Sequence, residues 1–277
     1  MFNKKSIKRY FRQIKAIAEK NIFLELRVKT ELITRFLNPL VQLLVLIFIF
    51  GLIFNMNSSL NIGYWNANNY TLFLIIAFCI QFSKPVTQRY VYLFSMEKYW
   101  KTLSATLVAP VNKLTLLTGI LLSEFILISI PIMFLFILAL ILYPINLLFF
   151  LLVLVVFFSI YLTLSSIGLI ISAFGISNEK YVPIMYMCLL IIFIFSCANY
   201  PKEIFPEFIQ FFIVLNPFYY LFDLLRLVWY LGIDFNVAIK LITYVHIIIV
   251  LLFTSLTPII SIKLFNSVFK KHGIAGY

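Results

Sequence analysis

The chain has 277 residues, of which 63% are apolar and only 12% charged, and its net charge is +12. A soluble domain carries about 25% charged residues, so the polar surface that would face water is missing and a soluble globular fold is excluded. Apolar runs near the roughly 20 residues needed to cross a hydrocarbon core recur along the chain. They are continuous, not alternating, so the backbone groups that lipid cannot satisfy are paired within helices, not in a barrel.

From Asn3 to Glu31 the sequence is rich in Lys and Arg, with Ile7, Phe11, Ile14 and Ala18 at helical spacing. Residues 1–35 therefore read as a cytoplasmic amphipathic helix lying in the headgroup layer of an anionic leaflet. This stretch lacks the apolar core and small-residue cleavage site of a signal peptide. Residues 36–277 read as one membrane domain of six spans. The first is expected over Phe36–Met56, with Asn38-Pro39 at its start, because a proline fits the first turn of a helix. An uncharged polar segment, Asn57 to Asn69, separates it from the second span, which begins at Tyr70 and is interrupted by Lys84, Pro85 and Arg89. Arg89 falls about 30 Å from that start and reads as interfacial, with Lys84 snorkelling towards the same side. A polar connection, Glu97–Lys113, leads to a third span over Leu114–Leu142 with a kink expected at Pro131.

The tight turn Tyr143-Pro144-Ile145-Asn146 opens a fourth span ending near Gly175, and Ser177–Lys180 links it to a fifth over Tyr181–Asn199. Between Tyr200 and Asp234 the apolar runs are broken by Pro206, Asn216-Pro217, Asp223 and Arg226. Runs of about 10–14 residues are more often re-entrant or interfacial than spanning, so residues 200–234 read as two short re-entrant helices. The sixth span is expected over Val237–Leu264.

Charge sets the orientation. Residues 1–35 hold ten Lys/Arg against three Glu, Lys84–Lys113 five against one, and Lys263, Lys270 and Lys271 follow the last span. The connections after the first and third spans have no charge, and Tyr200–Asp234 has two basic residues against four acidic ones. Basic loops stay cytoplasmic, so six spans with both termini inside fit every segment and residues 200–234 lie outside. The positive charge thus flanks a membrane, and no nucleic-acid partner is expected.

No phosphate-binding G-x-x-x-x-G-K-[ST] occurs. His246 and His272 stand far apart, and Cys79, Cys188 and Cys197 lie in apolar stretches without metal-ligand spacing. With no catalytic constellation and no metal site, the chain is expected to move its substrate and not to convert it. Glu124, about ten residues into the third span, costs roughly 2.5–3.5 kcal/mol near mid-membrane and must face protein, a water-filled path or the interface. Asp223 and Arg226, spaced i, i+3, can pair on one helix face, and His246 reads as a packing residue. Among the 31 Phe and 16 Tyr, membrane-facing Phe36, Tyr181 and Tyr186 offer flat apolar faces to sugar rings or acyl chains. An AT-rich coding bias explains the aromatic count equally well.

The order Glu97, Thr102, Leu103, Thr106, Leu107, Ala109, Pro110, Val111 resembles the cytoplasmic segment between the second and third spans of type-2 ATP-binding-cassette export permeases. It departs from that pattern at Lys101, where a glycine is usual, and at Ser104, where a glutamate is common. Asn216-Pro217-Phe218-Tyr219-Tyr220, with Arg226 beyond, is similar to the family's N-P-[LF]-x-[YW]…R element before the last span. The resemblance covers essentially the whole chain. It implies a homodimer working with two copies of an ATPase that hold ATP and magnesium, with no cofactor on this chain, in the plasma membrane of a prokaryote. Residues 97–112 would be the coupling segment, with Glu97, Tyr99, Trp100, Thr102, Leu103 and Pro110 docking the ATPase. Asn216, Pro217, Asp223 and Arg226 would belong to the external re-entrant element, and the first and fifth spans of both copies would line the path. The run from Thr102 with Gly119 and Glu124 looks closest to exporters of lipid-linked oligosaccharides and polysaccharides. Exporters of hydrophobic drugs and antibiotics share much of it. A secondary transporter would need repeats or buried coupling charges, and the sequence offers no repeat and one such charge.

Overall fold

A computed structural model of the chain describes residues 4–27, 29–56, 62–102 and 113–272. In order, the elements are α1 (Lys4–Leu26), α2 (Lys29–Met56), α3 (Tyr70–Ser83), α4 (Val86–Tyr99), α5 (Lys113–Leu142), α6 (Leu147–Ser177) and α7 (Tyr181–Ile194). A single 3-10 turn (Lys202–Ile204) precedes α8 (Glu207–Leu215), α9 (Pro217–Leu231), α10 (Phe235–Leu241) and α11 (Tyr244–His272). Among the described residues, five stretches are long and apolar enough to cross a membrane: Phe36–Phe54, Tyr70–Tyr99, Leu114–Leu142, Leu147–Ser177 and Tyr244–Val268. The fold is an all-α integral membrane bundle.

α3 is apolar all round, as a helix inside a bundle must be, and every residue from Leu72 to Ile80 is buried. α5 packs on α3, while α4 and α11 pack on α6. The α4–α6 contact is close because Gly168 has no side chain: a Cβ there would lie 2.6 Å from the Thr87 carbonyl oxygen. Small residues are how membrane helices bring their backbones together. α1 docks on the start of α5 in the same way, with Ile17 against Gly119 and Ala18 and Asn21 buried. Phe11, expected on the same apolar face, is instead exposed, and the side chain of Ile7 lies outside those described. α2, resting on α3, leaves Leu37, Val41, Leu44, Phe48 and Leu52 uncovered.

Three expected boundaries are corrected. The apolar stretch begins at Phe36 as expected, but the helix that carries it does not start at Asn38-Pro39, because α2 starts at Lys29 and carries Pro39 inside it. A proline costs a membrane helix one hydrogen bond that neighbouring groups re-satisfy. The fifth span stops at Ile194, not Asn199. There Cys197 turns into the left-handed region at φ 53°, and α7, 14 residues or about 21 Å long, is shorter than a hydrocarbon core. The sixth span breaks between α10 and α11. Thr243 and His246 start a new helix there: the Thr243 N–H donates to His246 Nδ1 (3.3 Å) and the His246 N–H to the Thr243 carbonyl (3.1 Å). The reach of the His246 ring back to the Thr243 N–H is one half of a capping box, with His in the place usually held by Glu or Gln. The expected pair of short helices is present as α8 and α9, bent by 91° at Asn216.

Candidate functional site

α4 ends in a cap that its sequence disfavours. The N–H of Lys101 donates to the Lys98 carbonyl (3.0 Å) and that of Thr102 to the Glu97 carbonyl (2.9 Å), the paired bonds of a Schellman motif. The residue that must turn left-handed is Lys101, at φ 56°. That conformation favours glycine, and it falls where the family pattern has one. The cap presents Tyr99 (82% exposed) and Trp100 (50%) side by side. Glu97 accepts from Lys20 of α1 (2.9 Å), and Lys98 donates to Glu179 of the α6–α7 link (2.7 Å). Leu103 and Pro110 lie outside the described residues.

Two turns further into the bundle, Arg89 is 5% exposed and Glu124 fully buried. Arg89 Nη1 donates to Glu25 Oε2 at 2.5 Å, and its Nε lies 3.3 Å from Glu124 Oε2. Arg89 is therefore turned into the protein and not left open to water. Its guanidinium joins α1, α4 and α5, because two carboxylates offset the cost of burying it. Cavities flank this cluster. One of about 390 Å³ is walled by Lys20, Leu24, Met96, Glu97 and Trp100. The other, of about 370 Å³, is walled by Thr34, Asn38, Pro85, Gln88 and Tyr92, and both share Glu25 and Arg89.

At the opposite end, Asn216 does two jobs. Its Oδ1 accepts from the Phe218 N–H (3.0 Å), capping α9, and its Nδ2 donates to the Ile192 carbonyl (2.6 Å). Pro217 occupies the first helical position, where no N–H is needed. Asp223 and Arg226 do not pair with each other. Asp223 accepts from Tyr64 (3.2 Å) and from His246 Nε2 (3.2 Å). The Thr243 N–H at Nδ1 assigns the ring proton to Nε2, facing Asp223. Burial, reinforced by Asp223, raises the Tyr64 hydroxyl well above its ordinary value, so it stays a donor. Arg226 donates to the carbonyls of Cys197 and Ala198 and stacks 4.0 Å over Phe73, holding the turn that ends α7.

The sequence model of the family described as ABC-2 type transporter matches residues 12–230. The chain belongs to the ABC-2 type transporter family. It is the membrane permease of an ATP-binding-cassette exporter, a class that works with an ATP-binding-cassette ATPase. No curated protein matches the sequence.

Within this permease the expected path residues are dispersed. Phe36 and Tyr186 pack partly buried against the main core, whereas Tyr181 is half exposed at the start of α7. No ring contact joins them among the described residues. A polar feature lies elsewhere. Lys84 sits about 21 Å along the 30-residue stretch Tyr70–Tyr99, where a lysine costs roughly 2.5–3.5 kcal/mol. Its Nζ stands 4.5 Å over the Phe193 ring. One turn away, Gln81 Nε2 donates to Asn199 Oδ1 at 2.6 Å. Lys84 rests its ammonium on the Phe193 ring, whereas Arg89 turns towards Glu25 and Glu124. The signal was present in the sequence as Gln81, Lys84 and Gln88 at helical spacing, whereas nothing local pairs Arg89 with Glu25, 64 residues away.

Proposed function

We propose that this permease moves a lipid-linked glycan or other large amphiphile outward. It works as a homodimer in the plasma membrane of a prokaryote, with two ATPase subunits that hold ATP and magnesium. The α1 end faces the cytoplasm, and the α8–α9 pair lies on the external side. The observation that carries the substrate reading is the uncovered face of α2 and α7. Leu44, Phe48 and Leu52 on the first, and Ile184, Met187 and Ile191 on the second, are exposed, and no ionic side chain occurs in Phe36–Met56 or Tyr181–Ile194. Such a surface suits acyl or polyprenyl chains. The orientation is supported by the Lys20–Glu97 bond, which brings the two most basic segments to one end, the end that remains cytoplasmic.

The ATPase docks on the cap of α4, with Tyr99 and Trp100 as its aromatic anchors. Permease and ATPase reconstituted in vesicles test the reading when offered a lipid-linked oligosaccharide and, separately, a panel of apolar drugs. The expected result is glycolipid translocation with stimulated ATP hydrolysis. Stimulation by the drugs alone, with no glycolipid moved, would transfer the assignment to hydrophobic-drug export.

A further inference from the structure

The second span is buried on most sides but not on one. Gln81, Lys84, Gln88 and Tyr92 are spaced by three or four residues and therefore share a helix face. All four are at least partly exposed, while Phe82, Ser83, Val86, Thr87, Arg89 and Tyr90 are buried. α2 carries a matching face: Thr34, Asn38 and Gln42 follow at intervals of four and are all exposed, with Gln42 Nε2 donating to Asn38 Oδ1 at 3.3 Å. The two faces meet at the 370 Å³ cavity, whose wall includes Thr34 and Asn38 from α2 and Pro85, Gln88 and Tyr92 from the second span. Gln42, Lys84 and Gln81 are not in that wall but continue its two polar faces one to two turns further in, extending a polar groove from the cavity towards the middle of the bilayer.

Among the described residues, the ionic side chains that line the lower end of this groove, Glu25 and Arg89, are matched. Arg89 has Glu25 and Glu124. Lys84, one turn further in, has no carboxylate within ion-pair distance among the described residues, and its ammonium rests on the Phe193 ring. Amides and hydroxyls offer both donors and acceptors to a hydroxyl-rich group, whereas a solitary ammonium selects negative charge. An intramembrane cation is costly enough to mark a substrate pathway by default.

We propose that this groove takes the polar headgroup of the exported amphiphile, that the headgroup is anionic, carrying a phosphate or carboxylate, and that Lys84 is its counter-charge. Thr34, Asn38 and Gln88 receive its hydroxyls, while the apolar tail lies along the uncovered surface of α2. The inference rests on the amphiphile reading above but narrows it: a neutral or cationic drug has no use for Lys84.

Binding to the solubilised permease alone, without ATPase, separates the two. Radiolabelled polyprenyl phosphate and the uncharged polyprenol of the same length serve as probes. The expected preference for the phosphate is about tenfold or more, the range for a hydrogen bond to a charged group. Lys84→Met should erase that preference and Lys84→Arg retain it. Because Lys84→Met removes a charge from the membrane, the variant should melt no lower than the parent. A lower melting temperature with the preference intact would mean that Lys84 serves only to hold Phe193, and would overturn the proposal. Equal binding of phosphate and alcohol by the parent would do the same. So would displacement of the lipid by an equal concentration of inorganic phosphate, which would make the ligand a free anion. A retained preference with no glycolipid-stimulated hydrolysis would instead leave the groove in place and remove the export reading.

Discussion

Replacing Lys101 by glycine should strengthen the end of α4. A left-handed conformation costs an L-residue about 1–2 kcal/mol, and Lys101 bears that cost at φ 56°. Glycine removes it, but its greater freedom in the open state returns about 0.5–1 kcal/mol. The net gain is about 0.5–1 kcal/mol, equivalent to a two- to fivefold smaller opening constant. The amides that report it are those of Lys101 and Thr102, which donate to the Lys98 and Glu97 carbonyls. Hydrogen exchange measured on a peptide covering residues 97–102 should slow by that factor in Lys101→Gly. It should quicken in Lys101→Val, because a β-branched residue is least tolerant of positive φ. Unchanged exchange in the glycine variant, or slower exchange in the valine variant, would show that the cap does not hold Lys101 left-handed and would refute the reasoning.

Arg89→Met withdraws the guanidinium from between Glu25 and Glu124 and should cost about 3–5 kcal/mol, the usual price of breaking a buried ion pair. A thermal melt of the solubilised permease checks this, and a change within about 0.5 kcal/mol, the range of surface substitutions, would count against the buried pairing. Asn216→Ala should cost about 1 kcal/mol from the lost cap and loosen the Ile192 contact as well. Asn216→Asp should keep protection at the Phe218 amide while losing the bond to Ile192, so identical exchange in both variants would contradict the two-handed role.

The spans were legible because apolar length dominates a membrane sequence, and charge placed the basic segments together before Lys20 and Glu97 were seen to join them. Boundaries failed where a local bond outweighed composition. His246 reaching back to the Thr243 N–H starts α11 in the middle of a run that hydropathy alone reads as continuous. The helix before Asn199 ends early because Arg226 holds the carbonyls of Cys197 and Ala198, and no pattern within residues 181–199 announces an arginine from α9. The same long-range pairing hid the site. Glu124 was conspicuous as a lone carboxylate, yet its partner Arg89 sits in another span. Asp223 and Arg226, neighbours on one helix, each found better partners off it.

The position of the proline in the second span bears on how the two ends communicate. Lys84, Arg89 and Trp100 follow one another along about 24 Å of helix, so a push on Trp100 would be felt at all three if that helix were rigid. α4 itself is held closely, since the Thr87 backbone lies against Gly168. Pro85 supplies no N–H, however, and the hydrogen bonds there shorten to the i−3 pattern, Thr87 N–H to Lys84 O at 3.0 Å and Gln88 N–H to Pro85 O at 3.0 Å. The flexible joint therefore falls between Arg89 and Lys84. On the proposed reading, movement at the ATPase end reaches the Arg89 cluster through a continuous helix. It reaches Lys84 only through that joint, so Lys84 can change its angle to the groove while α3, buried from Leu72 to Ile80, stays where it is.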